Sequence, residues 1–88
     1  MWSLTDFYAD WCGPCQAMEP ALEKFKAEYA DKVTIKRVDV DKDQNSAAQN
    51  NVMGIPTFII YKDDKEVDRR SGAMPYETLR GWIDSVVK

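Results

Sequence analysis

The two cysteines of this 88-residue chain stand three positions apart, in the stretch Trp11-Cys12-Gly13-Pro14-Cys15. An apolar segment of β type precedes them and a helical pattern follows, so the pair lies where a strand gives way to a helix. If the helix begins at Cys12, Cys15 lies one turn further on and the two Cα atoms are ~5–6 Å apart, within the range that a disulfide accepts. The spacing therefore predicts a thiol pair that closes or opens with little movement of the backbone.

Hydrophobic periodicity predicts the order βαβαββα along the chain. The predicted strands cover residues 3–9, 32–40, 57–62 and 65–70. The predicted helices cover residues 12–30, 44–51 and a last segment that starts near Pro75. Pro20 should kink the first helix, and Asp63-Asp64 should join the last two strands as a hairpin. A βαβ unit followed by a hairpin and a closing helix predicts one α/β domain over residues 1–88, with a mixed four-stranded sheet and helices on both faces.

Composition and charge narrow the classes of function. Twelve basic and fifteen acidic residues give a net charge of -3 and are mixed along the sequence. This mixture argues against a basic surface for nucleic acid or for an anionic membrane. The sequence has no run of about 18 apolar residues, and its start lacks the basic and apolar blocks of a signal peptide. We therefore expect a cytoplasmic protein, a setting in which a structural disulfide that closes so short a loop would be unusual.

A metal site is another interpretation of the paired cysteines. Tetrahedral zinc takes about four Cys or His ligands, and the sequence has two Cys and no His. Only a site shared between two chains, or completed by an outside thiol, would meet that need. We therefore predict no metal and favour a reversible redox pair. Backbone N–H groups at the helix start should favour the thiolate of Cys12, which makes Cys12 the attacking cysteine and Cys15 the resolving one.

Three further residues allow two interpretations each on pattern alone. Asp6 lies in the first strand, six residues before Cys12. A buried carboxyl there would have a raised pKa and could exchange a proton with Cys15, but a solvated aspartate at a strand end fits the pattern equally well. Pro56 stands where a loop enters a strand, and the pattern alone favours an ordinary trans bond. Trp11 is compatible with a core aromatic as well as with a functional one.

Taken together, the stretches DFYADWCGPC, GIPTF and SGA resemble the thioredoxin family in order and in separation, over nearly the whole chain. Trp-Cys-Gly-Pro-Cys is that family's active-site signature. The resemblance implies a minimal thioredoxin fold with a buried, catalytic Asp6 beneath Cys15 and a cis bond before Pro56. It also implies the strand order 33–39, 3–9, 57–62 and 65–70.

The resemblance further implies a shallow apolar rim on which a protein disulfide docks. The backbone of Ile55 would pair with an extended substrate segment as a short added strand. The implied substrate-binding residues are Trp11, Gly13, Pro14, Ile55, Pro56, Gly72 and Ala73.

The chain departs from the family pattern at its start. Familiar thioredoxins carry an extra strand and helix before the strand that contains Asp6, whereas five residues precede Asp6 here. Strand 33–39 should therefore be a sheet edge, where Lys36 and Arg37 are charges of the kind that discourages edge pairing. We interpret Arg37 as a solvated edge charge in preference to a group that tunes Asp6.

The function that the resemblance implies is reduction of protein disulfides by a reversible Cys12-Cys15 pair, helped by Asp6. Such an electron carrier serves cell redox homeostasis, needs no bound cofactor and takes electrons from a separate enzyme similar to thioredoxin reductase. We expect a monomer whose partners are disulfide-containing proteins. Two alternatives stay open: a glutaredoxin-like reductase that depends on glutathione, and a non-catalytic docking module whose cysteines are incidental or hold an iron-sulfur cluster between two chains.

Overall fold

The computed structural model describes residues 1–87, and residue 88, the last of the predicted domain, lies outside the described residues. The strands are β1 (Trp2–Tyr8), β2 (Val33–Asp39), β3 (Thr57–Lys62) and β4 (Lys65–Ser71). The helices are α1 (Gly13–Ala17), α2 (Glu19–Tyr29), α3 (Gln44–Gln49) and α4 (Tyr76–Val86). The predicted order of strands and helices is confirmed, except that the first predicted helix is divided in two.

The four strands form one mixed sheet in the order β2-β1-β3-β4. Strand β1 runs parallel to β2 and antiparallel to β3, and β3 and β4 form the antiparallel hairpin. The register places Asp6 between Arg37 of β2 and Phe58 of β3. The predicted fold class and strand order are confirmed, and β2 lies at a sheet edge as expected.

The hairpin turn works without glycine because two aspartates adopt the left-handed conformation. Asp63 and Asp64 have φ angles of 51° and 69°, and Lys62 pairs with Lys65 across them. Positive φ at both central residues defines the type I′ turn, whose twist matches that of the strands. Aspartate enters this conformation at lower cost than most residues, because its short carboxylate can bond to the local backbone.

The predicted helix over residues 12–30 is interrupted at Met18. Pro20 has no N–H group to donate to the carbonyl of Gln16, so the regular ladder cannot continue through this point. Instead, the Met18 N–H group donates to the Cys15 carbonyl at 3.1 Å, and the Leu22 N–H group restarts the ladder on the Met18 carbonyl at 2.9 Å. Two helices therefore replace the single kinked helix that the periodicity predicted.

The two faces of the sheet are covered by different helices. On the face that packs against α2 and α4, a buried core is formed by Leu4, Phe58, Ile60, Leu22, Phe25, Leu79 and Ile83. The opposite face carries α3 and a shallow depression of about 210 Å³, whose lining includes Ser3, Thr5, Lys36 and Tyr61. Because side chains alternate along a strand, Asp6 lies on the same face as Leu4, the face that carries α2.

Candidate active site

The cysteine pair lies at the start of α1, where it forms a disulfide. Cys12 and Cys15 have Cα atoms 5.2 Å apart, in agreement with the distance predicted from a helix start. Both residues are buried, with exposed fractions of 4% and 3%, so accessibility does not separate an attacking from a resolving cysteine. The contact that separates them is a hydrogen bond from the Cys15 N–H group to Cys12 Sγ at 3.1 Å.

That hydrogen bond is one of the backbone N–H contacts that the sequence predicted at the helix start. The interruption at Met18 leaves α1 with five residues, from Gly13 to Ala17, so the dipole of a long helix does not act on Cys12. The charge of a Cys12 thiolate is instead stabilised locally, because Cys12 caps α1 and receives the Cys15 N–H group on its sulfur. A donor aimed at sulfur favours the thiolate over the thiol.

The loop before β3 packs against the cysteine pair. Ile55 is half-buried against the cluster formed by Ala9, Cys12 and Cys15. The Ile55-Pro56 peptide bond is cis, as the family resemblance implied. The Pro56 carbonyl accepts a hydrogen bond from the Gly72 N–H group at 2.8 Å. The structure thus places Gly72 next to the Ile55-Pro56 pair, although they are distant in sequence, and Ile55 packs against the disulfide.

Gly72 has a backbone requirement of its own. Its φ angle is +96°, in the region that favours glycine because a Cβ atom would be strained there. This conformation turns the chain out of β4 while the Gly72 N–H group stays bonded to Pro56.

Trp11 projects beside the disulfide and forms one wall of an apolar cleft. Its side chain is 69% exposed, and its Nε1–H group donates to Asp41 Oδ2 at 2.7 Å. The alternative of a buried core tryptophan is therefore wrong. The apolar cleft has a volume of about 220 Å³ and is lined by Trp11, Val40, Ala47, Val52, Met53, Gly54 and Ile55.

Five predicted rim residues lie outside the lining of the apolar cleft: Pro56 and Gly72, described above, and three exposed ones. Gly13 and Pro14 are exposed in the first turn of α1, and Ala73 is exposed beside Gly72. The proposed binding role of these three residues stays a prediction, as do the roles of the other site residues.

Asp6 is buried in β1, on the sheet face that carries α2. It is 1% exposed, and its Oδ2 atom accepts a hydrogen bond from Arg37 Nε at 3.1 Å. Its Oδ1 atom is buried and has no hydrogen-bond partner among the described residues. Burial raises the pKa of Asp6 above the ordinary value of 3.8, and the adjacent Arg37 guanidinium offsets part of that rise. The interpretation of Asp6 as a solvated aspartate is therefore wrong.

Arg37 is not the solvated edge charge that the sequence suggested. Its guanidinium bridges two carboxylates, with Nε on Asp6 and Nη1 on Glu19 Oε1 at 3.0 Å. The guanidinium also lies over the Tyr8 ring, 4.0 Å from the ring centroid. The side chain is 32% exposed. Arg37 therefore belongs to the electrostatic surroundings of Asp6.

A second opening reaches Cys15 from the side of Arg37. This polar cleft has a volume of about 250 Å³. Its lining residues are Tyr8, Ala9, Asp10, Cys15, Gln16, Glu19 and Arg37.

Sequence reasoning did not identify Glu19 or Asp41, and it misplaced Arg37. One signal was available for Arg37, because two adjacent parallel strands starting near residues 2 and 33 place Asp6 beside Arg37. Asp41 follows the end of β2, and its contact with Trp11 joins residues thirty positions apart. No local pattern signals that contact.

Residues 1–87 contain neither a cluster of metal ligands nor a helix that could span a membrane. No group of three or more His, Cys, Asp or Glu side chains is arranged to hold a metal ion there. None of the helices in that range is long and apolar enough to cross a membrane.

Comparison with known proteins assigns the family. The thioredoxin family model matches residues 2–85. A thioredoxin of Staphylococcus aureus is 44% identical over 81 residues, which cover 92% of this chain and 78% of that relative.

Solved structures give the same result. A mutant thioredoxin from Halobacterium salinarum superposes with a TM-score of 0.88 at 38% identity, covering 99% of this chain and 75% of that one. The germline-specific thioredoxin Deadhead from Drosophila melanogaster gives a TM-score of 0.91 at 29% identity, covering 98% and 81% of the two chains. With its paired cysteines at the start of α1, this chain is a thiol-disulfide oxidoreductase that belongs to the thioredoxin family.

Proposed function

We propose that this thioredoxin-family protein reduces protein disulfides by using Cys12 as the attacking thiolate. The observation that carries the proposal is the Cys12-Cys15 disulfide at the start of α1, with the Cys15 N–H group directed at Cys12 Sγ. In the reduced protein this donor favours charge on Cys12, and a thiolate is the nucleophile in disulfide exchange.

The proposed reaction has two exchange steps. In the first, Cys12 Sγ bonds to one sulfur of the substrate disulfide, the substrate S–S bond breaks, and the other substrate sulfur leaves as a thiolate. In the second, the Cys15 thiolate attacks Cys12 Sγ, the mixed disulfide breaks, and the second substrate sulfur leaves. Two electrons pass from the cysteine pair to the substrate, and the pair ends as the Cys12-Cys15 disulfide.

Asp6 is the proposed general base of the second step. Cys15 must lose its proton before it attacks, and a buried carboxylate with a raised pKa is a better acceptor near neutral pH than an ordinary aspartate. Asp6 lies on the sheet face that carries α2, and Cys15 opens on the polar cleft beside Arg37, the partner of Asp6. The proton of Cys15 would pass to Asp6 as the mixed disulfide resolves.

The rim predicted from the family resemblance is the proposed docking surface. Trp11 and Ile55 line the apolar cleft beside the disulfide, and the backbone of Ile55 would pair with an extended substrate segment. Gly13, Pro14, Pro56, Gly72 and Ala73 would complete the rim.

The family works on disulfide substrates together with a reductase, and it normally needs no bound cofactor. For this chain we assign the electron supply to a separate enzyme similar to thioredoxin reductase. The chain would then act as a monomeric electron carrier in cytoplasmic redox homeostasis.

The two cysteines can be tested separately with a disulfide-bonded test protein. Cys12→Ser should abolish reduction of that protein, because the attacking sulfur is gone. Cys15→Ser should trap the mixed disulfide, which non-reducing electrophoresis detects as a covalent adduct. Activity that survives Cys12→Ser, or a Cys15→Ser variant that forms no adduct, would contradict the assignment. Efficient turnover with glutathione alone, compared with a flavin-dependent reductase, would favour the glutaredoxin-like alternative.

A further inference from the structure

The two carboxylate oxygens of Asp6 differ in their hydrogen bonding. Oδ2 accepts from Arg37 Nε, whereas Oδ1 is buried and has no partner among residues 1–87. Buried acceptors are normally paired, so an unpaired one calls for an explanation. An arginine beside a carboxylate can satisfy both oxygens at once through two parallel N–H groups. Here the guanidinium is in place, but it bonds to only one oxygen.

Glu19 bonds to a different nitrogen of the same guanidinium. Its Oε1 atom accepts from Arg37 Nη1 at 3.0 Å, so the guanidinium is divided between a buried carboxylate and a half-exposed one. The Tyr8 ring lies against the same guanidinium. Together, Glu19 and Tyr8 hold Arg37 in an orientation that gives Asp6 a single hydrogen bond.

Glu19 lies on the same side of the helical segment as Cys15. Glu19 is the first residue of α2 and follows Cys15 by four positions. Both residues line the polar cleft, on the side where Arg37 enters it. The same segment that carries the resolving cysteine therefore carries the anion that holds Arg37.

We propose that Glu19 is a positioning residue that draws Arg37 away from a two-bond pairing with Asp6, so that one Asp6 oxygen stays free to take the proton of Cys15. This inference rests on the proposed function of Asp6 as a general base. It adds a second carboxylate that acts on the reaction through Arg37 and does not touch the reacting sulfur.

The charged groups around Asp6 are few. Arg37 faces it from β2 and lowers its pKa, and Glu19 faces it from α2 and raises its pKa, while burial raises it most. Strand β3 places the apolar Phe58 beside Asp6 in the register. On the side of α1, the titratable group is Cys15, which shares the polar cleft with Arg37 and Glu19.

A double-mutant cycle tests whether Glu19 acts through Arg37. The Asp6 carboxyl is titrated by ¹³C NMR in the wild type, in Glu19→Gln, in Arg37→Gln and in the double variant. Glu19→Gln keeps the size of a half-exposed side chain, and it frees Arg37 to bond both oxygens of Asp6. The Asp6 pKa should then fall by about 1. In the Arg37→Gln background the same substitution should lower the Asp6 pKa by clearly less, because only the direct charge of Glu19 is then removed.

Glu23 supplies the matched control. It lies one turn further along α2, is exposed, and loses the same charge in Glu23→Gln, which should leave the Asp6 pKa unchanged. If Glu19→Gln lowers the Asp6 pKa equally with and without Arg37, Glu19 acts by its own charge and the positioning role is wrong. An unchanged or raised Asp6 pKa in Glu19→Gln overturns the role as well.

A kinetic measurement connects the titration to the chemistry. The rate at which Cys15 resolves a preformed mixed disulfide should rise with pH as Asp6 ionises, and Glu19→Gln should move that rise to lower pH by about 1. The NMR titration requires no substrate. A wild-type protein that fails to reduce disulfides would therefore refute the proposed function alone, whereas the mutant cycle decides the role of Glu19.

Discussion

The two flanks of the cysteine pair are built from opposite chemistry. On one side, Trp11 and Ile55 line an apolar cleft with an exposed methionine, Met53, at its margin. On the other side, Glu19 and Arg37 line a polar cleft that opens on Cys15. Apolar surface binds without strict direction, whereas charges in a partly buried site act through geometry. The contrast suggests that substrate docking and proton transfer are carried by separate surfaces and can be perturbed one at a time.

The largest expected effect is on the polar flank. Asp6→Asn should lower the rate of mixed-disulfide resolution near neutral pH by about 100-fold, because the general base is lost. The apparent KM for a protein disulfide should stay within error of the wild type. Single-turnover kinetics over a range of pH measures both quantities. Asp31→Asn, an exposed aspartate with the same charge change, is the control, and a parallel rise in KM in Asp6→Asn would break the separation between the flanks.

The same substitution should stabilise the protein at neutral pH. The pKa of folded Asp6 lies above its ordinary value of 3.8, so the folded state binds a proton more readily than the unfolded state. The ionised carboxylate therefore costs stability above the folded pKa, and that cost disappears as pH falls through the folded pKa towards 3.8.

Each unit of raised pKa corresponds to about 1.4 kcal/mol of that cost. Urea unfolding of the wild type and Asp6→Asn at several pH values measures it. The stability advantage of the variant should be largest near pH 7 and should shrink towards pH 4. An advantage that is independent of pH would mean that the ionisation of Asp6 is not its source.

On the apolar flank, Trp11→Ala should weaken docking. Removing the largest exposed aromatic of the apolar cleft should raise the apparent KM for a protein disulfide by about tenfold, equivalent to about 1.4 kcal/mol. The rate of resolution by Cys15 should be unaffected, because Trp11 lies on the other flank. Trp11→Phe, which keeps an aromatic ring, should retain most of the affinity. A slower resolution step in Trp11→Ala would show that the apolar flank also affects the reaction of Cys15, against the proposed separation.

The smallest effect is expected at Asp41, which orients Trp11 through the indole N–H group. Asp41→Ala should raise the apparent KM by about two- to fivefold, since a single hydrogen bond contributes ~0.5–1 kcal/mol. In a Trp11→Phe background, which has no N–H group to donate, the same substitution should have no effect. Additive effects in the double variant would show that Asp41 contacts the substrate by itself.

The fold and the redox pair were readable from sequence because their signals are local. The Cys12-Gly-Pro-Cys15 spacing reports a helix start, and period-two and period-3.6 patterns report strands and helices. The cis bond before Pro56 was implied only by the family resemblance, because the pattern around it favours an ordinary trans proline. Asp6 was likewise implied by the resemblance, but its contact with Arg37 was missed, because that contact depends on the register of two parallel strands.

The interruption at Met18 shows a different limit of the sequence. The apolar positions Met18, Leu22 and Phe25 are buried as the periodicity indicates, although the helix that carries them begins anew at Glu19. Periodicity reports which side chains face the core, and it does not report whether the backbone ladder beneath them is continuous.

Strand β2 has a neighbouring strand on one side only, and it carries Arg37. Edge strands open locally at lower free energy than central ones, so their amide hydrogens exchange sooner with solvent. A brief opening of β2 would carry Arg37 away from Asp6 while the disulfide on α1 and the Ile55-Pro56 segment before β3 stay in place. Such an opening would change the charge next to Asp6 while the rest of the site stays folded.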